Sequence, residues 1–225
     1  MDGSLEQAWS DVVRTARRTV DDGLVVGTSG NVSARVGDVV IVTPTGVPYD
    51  RLGPADLVAV DLATGRQVRG SLRPTSELPT HLAVYRATAA RAVVHTHAPH
   101  ATAVSTLVDL LPNVHYAAAA MGAPILVAGY ELYGTEELGA AVLGALREGR
   151  SACLMRNHGT LVHAATLDRA YEHTAQLEWM CRVWLLAASA ASAAGGSPHT
   201  LGDDEMARVA EKLRGYGQPP PPDRA

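Results

Sequence analysis

The chain has 225 residues, 47% of them hydrophobic, with 19 basic and 23 acidic side chains for a formal charge of −4. That length and apolar content build a sizeable core without disulfide staples. The mild negative charge argues against a nucleic-acid surface, yet leaves room for an anionic substrate in a local pocket.

Leu5, Ala8, Trp9, Val12, Val13, Ala16 and Val20 recur at helical spacing and predict a helix over 4–22, ended by Gly23. The runs NVSARV, VVIVTP and DLVAVDL are β-branched, separated by Gly, Pro and Asp, and read as strands. Glu77 to Ala90 predicts a helix with Pro79 in its first turn. Residues 92–97 read as a buried strand, and Pro99 opens a helix to Leu107. Short strands are expected near 114–116 and 125–127, a helix at 135–147, and strands at 151–155 and 160–163. A long helix is expected over 166–194 and a last one over 203–214, with GGSPHTLG as the loop between them. Residues 1–216 read as one domain, and the proline-rich 217–225 as a disordered tail. Helices alternating with short strands indicate an α/β or α+β class with a mainly covered sheet.

Cys153 and Cys181 lie in apolar runs, form no CxxC pair and read as reduced, buried thiols. The first residues lack a hydrophobic signal core, and the longest apolar run, 183–195, is too short to span a bilayer. The expectation is a soluble cytoplasmic protein with no membrane segment.

The most informative motif is His95-Thr96-His97 after Ala92-Val93-Val94. On a strand, residues i and i+2 share a face, so the imidazoles emerge about 6–7 Å apart, a separation that suits two ligands of one ion. Two independently hydrogen-bonded histidines at a strand end would look the same. Asn157-His158-Gly159, at a turn between two apolar strands, offers a third imidazole, and Gly159 permits a positive φ or a close approach. Three nitrogen ligands with an open position are the pattern of catalytic zinc. Glu77 stands at a helix start, where a carboxylate is commonly a cap; next to a metal it is a ligand or a general base. His81, one turn on, has the place of a residue supporting the ligands.

A second constellation is built for an anion. Gly27-Thr28-Ser29-Gly30-Asn31 brackets two hydroxyls between glycines, Thr43-Pro44-Thr45-Gly46 repeats that chemistry, and Thr75-Ser76 precedes a predicted helix N-terminus. With no basic cluster nearby, these loops point to one phosphate held by neutral donors. None of them is a P-loop or a dinucleotide fingerprint.

Taken in order, GTSGNVS, TPTGVPYD, RPTSE, VVHTHAPHATAVS, NVHY and NHGTLV resemble the class II aldolase/adducin family over about residues 5–217. Within it the motifs look most like the L-fuculose-1-phosphate aldolase branch. The resemblance implies a three-layer αβα fold with a mostly antiparallel central sheet, and a fourfold homotetramer with active sites between subunits. It implies zinc, with manganese or cobalt as substitutes, on His95, His97 and His158, and Glu77 as the acid/base that also ligates the metal when substrate is absent. Thr28, Ser29, Asn31, Thr45, Gly46, Thr75 and Ser76 match the phosphate-binding positions. Tyr116 matches a tyrosine supplied by the neighbouring subunit for proton transfer, and Tyr216 one that closes over the site. On spacing alone Tyr116 reads as a strand core residue and Tyr216 as a tail anchor.

The implied reaction is metal-dependent cleavage of a small phosphorylated ketose, such as L-fuculose 1-phosphate, to dihydroxyacetone phosphate and an aldehyde such as lactaldehyde. Thr75 departs from the serine common in these aldolases but keeps the hydroxyl. The rival readings within the family are a sugar-phosphate 4-epimerase, a methylthioribulose-1-phosphate dehydratase, and a 5-deoxyribulose- or methylthioribulose-phosphate aldolase. The epimerases usually carry aspartate where this chain has Glu77. A non-catalytic adducin-like scaffold is the rival of another class, and the retained histidines count against it. The chain's one lysine, Lys212, lies far along in the last predicted helix, which argues against a lysine-imine aldolase.

Overall fold

Trp9, Val12, Val13 and Ala16 recur at helical spacing and form the buried stripe of α1 (Asp2–Asp21), as the sequence predicts. The structure, a computed structural model, describes residues 2–216, so the tail expected over 217–225 lies outside it. After α1 the chain lays down β1 (Asn31–Val36), β2 (Val39–Val42), β3 (Ala59–Asp61) and β4 (Gln67–Arg69) as a run of antiparallel neighbours. Then follow α2 (Leu78–Ala87), β5 (Ala92–Thr96), α3 (Pro99–Ser105), β6 (Leu110–Leu111) and β7 (Ile125–Ala128). The rest comprises α4 (Glu136–Ala145), β8 (Ala152–Met155), β9 (Gly159–Ala164), α5 (Leu167–Ala193) and α6 (Asp203–Arg214).

The strands form one nine-stranded sheet in the order β4-β3-β2-β1-β5-β9-β8-β7-β6. Every pairing is antiparallel except β7 with β8. The period of two sorts side chains to its faces. Val40, Val60, Val93, Cys153, Met155 and Leu161 pack with Leu82, Val84 and Tyr85 of α2 and Leu138, Val142 and Ala145 of α4. Their neighbours point the other way: Ile41, Ala92 and Val94 pack with α1 and the start of α5, and Leu154 and Val162 with α3 and the middle of α5. This is the expected three-layer αβα arrangement with a mostly antiparallel sheet. Fully burying one such valine is worth about 1.5–3 kcal/mol, so a one-residue slip of β5 would forfeit several of them and turn His95 to the wrong face. Cys153 and Cys181 are buried and unpaired, as read from the sequence.

Three expectations differ from the structure. No strand exists at 114–116; a 3-10 helix runs from Tyr116 to Met121, started by His115, whose Nδ1 accepts from the Ala117 amide at 3.2 Å. The run of alanines that follows has no branched side chains to hold a strand. Tyr116 is therefore 52% exposed at a helix start, where spacing alone read a strand core residue. The helix expected over 77–90 is shorter. Glu77 sits at its N-cap with non-helical dihedrals and a carboxylate that caps nothing, and Thr88 at φ −134°, ψ 170° ends it. Finally, β4 and β6 went unforeseen, because strands of three and two residues are too short to carry a hydrophobic period.

Candidate active site

His95 faces the α2 side of the sheet, alternating with Val94. Its β1 partner across the ladder is Asn31, and its β9 partner is Leu161. His97 follows just past the end of β5. His158 arrives from the β8–β9 turn, where Asn157 takes φ +53° and the His158 amide donates to the Met155 carbonyl at 3.1 Å. Asparagine tolerates this left-handed conformation better than most residues. The turn thus places its positive φ on Asn157 and uses Gly159 for close approach: a Cβ there would lie 2.0 Å from the Thr96 carbonyl oxygen. Gly159→Ala is expected to lower stability by about 2–3 kcal/mol, in the overpacking range. Thermal denaturation checks this, and an unchanged Tm would show that the turn yields freely.

The three imidazoles close a triangle with ring centroids 4.8–4.9 Å apart and planes 70–87° to one another. Glu77 reaches into it from the head of α2, with Oε2 2.9 Å from His95 Nε2 and Oε1 3.3 Å from His158 Nε2. One ligand atom from each of Glu77, His95, His97 and His158 lies within 4.8 Å of the others.

Burial works to raise the Glu77 pKa, but His95, His158 and the Asn31 amide outweigh it and hold the carboxyl below the usual carboxylate range. Burial lowers the His97 pKa to about 3 and the His158 pKa to about 4, so both rings are neutral near pH 7 and offer lone pairs. His95 is opposed by burial yet raised by Glu77. That direction reflects the Glu77 carboxylate beside the ring, a negative charge that favours positive charge in this buried space. His95 Nδ1–H donates to the Thr160 carbonyl at 2.7 Å, which turns Nε2 inward. Glu77 Oε1 is buried and accepts no hydrogen bond among the described residues. Three inward nitrogens and an unsatisfied carboxylate oxygen are the donor set of a divalent transition-metal site.

The anion loops meet beside this group. The Thr75 amide donates to the Thr43 carbonyl at 3.0 Å, and the Thr45 amide to the Arg73 carbonyl at 3.1 Å, zipping the two loops together around the Pro44–Pro74 bridge. Tyr49 O–H donates to the Gly30 carbonyl at 2.7 Å and pins the first loop. All seven expected phosphate positions, Thr28, Ser29, Asn31, Thr45, Gly46, Thr75 and Ser76, line one cleft of about 280 Å³ with Glu77, His97 and His158. Among the described residues no lysine or arginine lines it. Asn31 also has a task the motif did not disclose, since its Nδ2 donates to Glu77 Oε2 at 2.8 Å.

Tyr116 and Tyr216 are not in this cleft. They share a separate groove with Arg208, Lys212 and Leu213 of α6 and are 52% and 84% exposed. Sequence reasoning missed Tyr130, Glu131 and Tyr133, which form the cleft's outer wall. Their segment is tied down at Gly134, whose φ is +77° and where a Cβ would lie 2.7 Å from the Ser76 carbonyl oxygen. The GYELYG run, with a glycine at each end, is the signal that marks such a loop.

The profile of the family described as "Class II Aldolase and Adducin N-terminal domain" matches residues 10–185. The chain is 39% identical over 197 residues to an L-fuculose phosphate aldolase of Escherichia coli (strain K12), covering 87% of this chain and 88% of that one. It is 35% identical over 228 residues to a 5-methylthioribulose-1-phosphate/5-deoxyribulose-1-phosphate aldolase of Rhodospirillum rubrum, covering 99% of this chain and all of the other, 100%. A solved structure of an L-fuculose 1-phosphate aldolase superposes with a TM-score of 0.86 at 31% identity, covering 92% of this chain and 96% of that one.

Proposed function

The chain belongs to the class II aldolase and adducin family, and we propose that it is a zinc-dependent aldolase that splits a ketose 1-phosphate, such as L-fuculose 1-phosphate, into dihydroxyacetone phosphate and an aldehyde. One observation carries this reading. A buried carboxylate whose Oε1 has no hydrogen bond converges with three imidazoles, and this group opens through Glu77, His97 and His158 onto a cleft lined by three loops rich in hydroxyl and amide donors.

His95, His97 and His158 would hold the metal, with Glu77 as a further ligand in the absence of substrate. A divalent cation there supplies Lewis acidity for the negative charge left when a bond next to a carbonyl breaks. Thr28, Ser29, Asn31, Thr45, Gly46, Thr75 and Ser76 grip the phosphate, and the α2 N-terminus adds its positive end. That grip fixes the carbon chain against Glu77 and keeps the reactive fragment in place. In the cleavage direction Glu77 would deliver the proton that C3 gains once the C3–C4 bond has broken, and in condensation it would take that proton back.

Tyr116, contributed by a second copy in a homotetramer, takes the proton of the C4 hydroxyl as the aldehyde forms, and Tyr216 closes over the site. Their position outside the cleft formed within one chain supports a site completed between subunits. Lys212 stands in the groove with the tyrosines and not in the cleft, in keeping with chemistry that needs no imine. Among the described residues no helix is long and apolar enough to cross a membrane. A cytoplasmic location fits such an enzyme.

The relatives' names divide the aldehyde half between a deoxysugar fragment and a thioether-bearing one, and the exposed wall of Tyr130, Glu131 and Tyr133 faces that choice. Triose-phosphate release is the test, in a coupled assay on L-fuculose 1-phosphate and 5-deoxyribulose 1-phosphate, after chelation and again after adding zinc. Zinc-restored release is the expected result. An isomeric sugar phosphate, or loss of water, as the only product would replace the aldolase reading with an epimerase or a dehydratase.

A further inference from the structure

Behind Glu77 a line of buried polar side chains starts at Asn31, which also faces the anion cleft, and continues through residues that the cleavage chemistry does not itself use. Asn31 Nδ2 donates to Glu77 Oε2 at 2.8 Å, and His81 Nε2 lies 2.5 Å from Asn31 Oδ1. Ser33 Oγ lies 2.6 Å from His81 Nδ1, and the Tyr85 hydroxyl 2.8 Å from Ser33 Oγ. His81 and Ser33 are wholly buried and Tyr85 nearly so, between α2 and the sheet.

The direction of each bond follows from the carboxylate outward. A carboxylate only accepts, so Asn31 turns its amide nitrogen to Glu77 and its carbonyl to His81. That carbonyl only accepts, so the His81 proton sits on Nε2, and Nδ1 accepts from Ser33. Ser33 Oγ in turn accepts from the Tyr85 hydroxyl. Every member is satisfied, which is the condition under which a buried polar chain rigidifies a site.

Glu77 needs such a constraint. The terminal torsion of a glutamate is broad and two-fold; Oε1 has no hydrogen bond, only a 3.3 Å approach to His158 Nε2, and Oε2 meets His95 Nε2 at 2.9 Å, so both imidazole contacts lie on the side of the ligand cluster. The Asn31 amide anchors Oε2 from outside that cluster, and with His95 it fixes the plane of the carboxylate and so the aim of Oε1. His81 does not line the cleft, so its route to the reacting atoms runs through Asn31.

We infer that His81 is a positioning residue: acting through Asn31, it locks the Glu77 carboxylate in the orientation needed for proton transfer, while Ser33 and Tyr85 hold its imidazole in the required tautomer. The inference rests on the reading of Glu77 as the proton-transfer group. It also makes Asn31 an orienting residue in addition to the anion contact expected from its motif.

The test compares His81→Phe and His81→Gln in the native and Glu77→Gln backgrounds, reading kcat, KM for the ketose phosphate and bound metal. His81→Phe is expected to lower kcat on the order of tenfold or more, with KM and metal content within about twofold of native. His81→Gln, which restores an N–H for Asn31, recovers most of that loss. In the Glu77→Gln background His81→Phe changes kcat by less than about twofold, because the group it orients is gone. Equal losses in both backgrounds, or a loss carried by KM or metal content, would overturn the inference.

If His81→Phe does not accumulate, Ser33→Ala takes its place. It is expected to lower kcat by a smaller factor at constant KM, and an unchanged kcat counts against the chain. A crystal structure of His81→Phe gives a readout independent of turnover. The Glu77 carboxylate is expected to swing off Asn31, and a carboxylate still in place refutes the inference. Absence of triose-phosphate release from the native protein would sink the aldolase reading alone, and the crystallographic comparison would still decide the role of His81.

Discussion

Glu77→Gln lowers turnover by about 10²-fold or more while the protein stays folded and keeps its metal. The reason lies in how the site divides its tasks. The three imidazoles come from β5, its end and the β8–β9 turn, and His95 keeps its Nδ1 bond to Thr160 whatever stands at position 77, so the metal keeps its nitrogen ligands. Glutamine has nearly the same shape and still presents an oxygen to the Asn31 amide, so packing around α2 is preserved. What disappears is a negative group able to take a proton. Metal content measured beside triose-phosphate release separates these effects. Unchanged turnover in a metal-replete variant would remove Glu77 from proton transfer and leave it a ligand only.

His95→Ala empties the site of metal. His95 is the most buried of the three ligand histidines, and its Nδ1 bond to Thr160 sets its Nε2 toward the others. Disturbing a group that merely orients a metal ligand costs about 10–100-fold in affinity, and deleting the ligand itself exceeds that. The variant also leaves Glu77 as a buried charge short of one partner, a defect worth about 3–5 kcal/mol. Purified His95→Ala is therefore expected to carry little zinc, to show no zinc-dependent rise in Tm and to melt below the native protein. Elemental analysis and a melting series with added zinc check this. Full zinc occupancy would break the assignment of His95 as a ligand. Chelating the native protein should reproduce the loss of activity reversibly, because the imidazoles remain.

The two effects are separable in principle because they belong to different elements. The histidines come from β5, from just past its end, and from the β8–β9 turn. Glu77 comes from the head of α2, which packs on that sheet through Leu82, Val84 and Tyr85. The line from Asn31 through His81 to Tyr85 crosses between the two layers and ties the carboxylate of one to the frame of the other.

Much of this was legible in the residues. The two-residue period of AVVHTH placed His95 on one face of a buried strand, and the three-to-four-residue period placed α1, α4, α5 and α6 within a few residues of their observed bounds. The hydroxyl-and-glycine loops declared their chemistry, and the ordered motifs tied them to one family. These signals are local, carried by spacing and turn chemistry within a single segment. What the local pattern could not give were the conformation at Tyr116, where a short 3-10 helix starts with no apolar period to announce it, and the aromatic wall of Tyr130 and Tyr133, which has no period of its own. Spacing put His81 one turn from Glu77, in the place of a supporting residue, but could not show that it acts on the carboxylate through Asn31, or that Asn31 would orient Glu77 as well as face an anion. Those partners lie 46 and 50 residues apart in sequence, and only the packing of α2 against β1 and β5 brings them within hydrogen-bonding reach, because contact across layers depends on how whole elements dock and not on the order of residues within one.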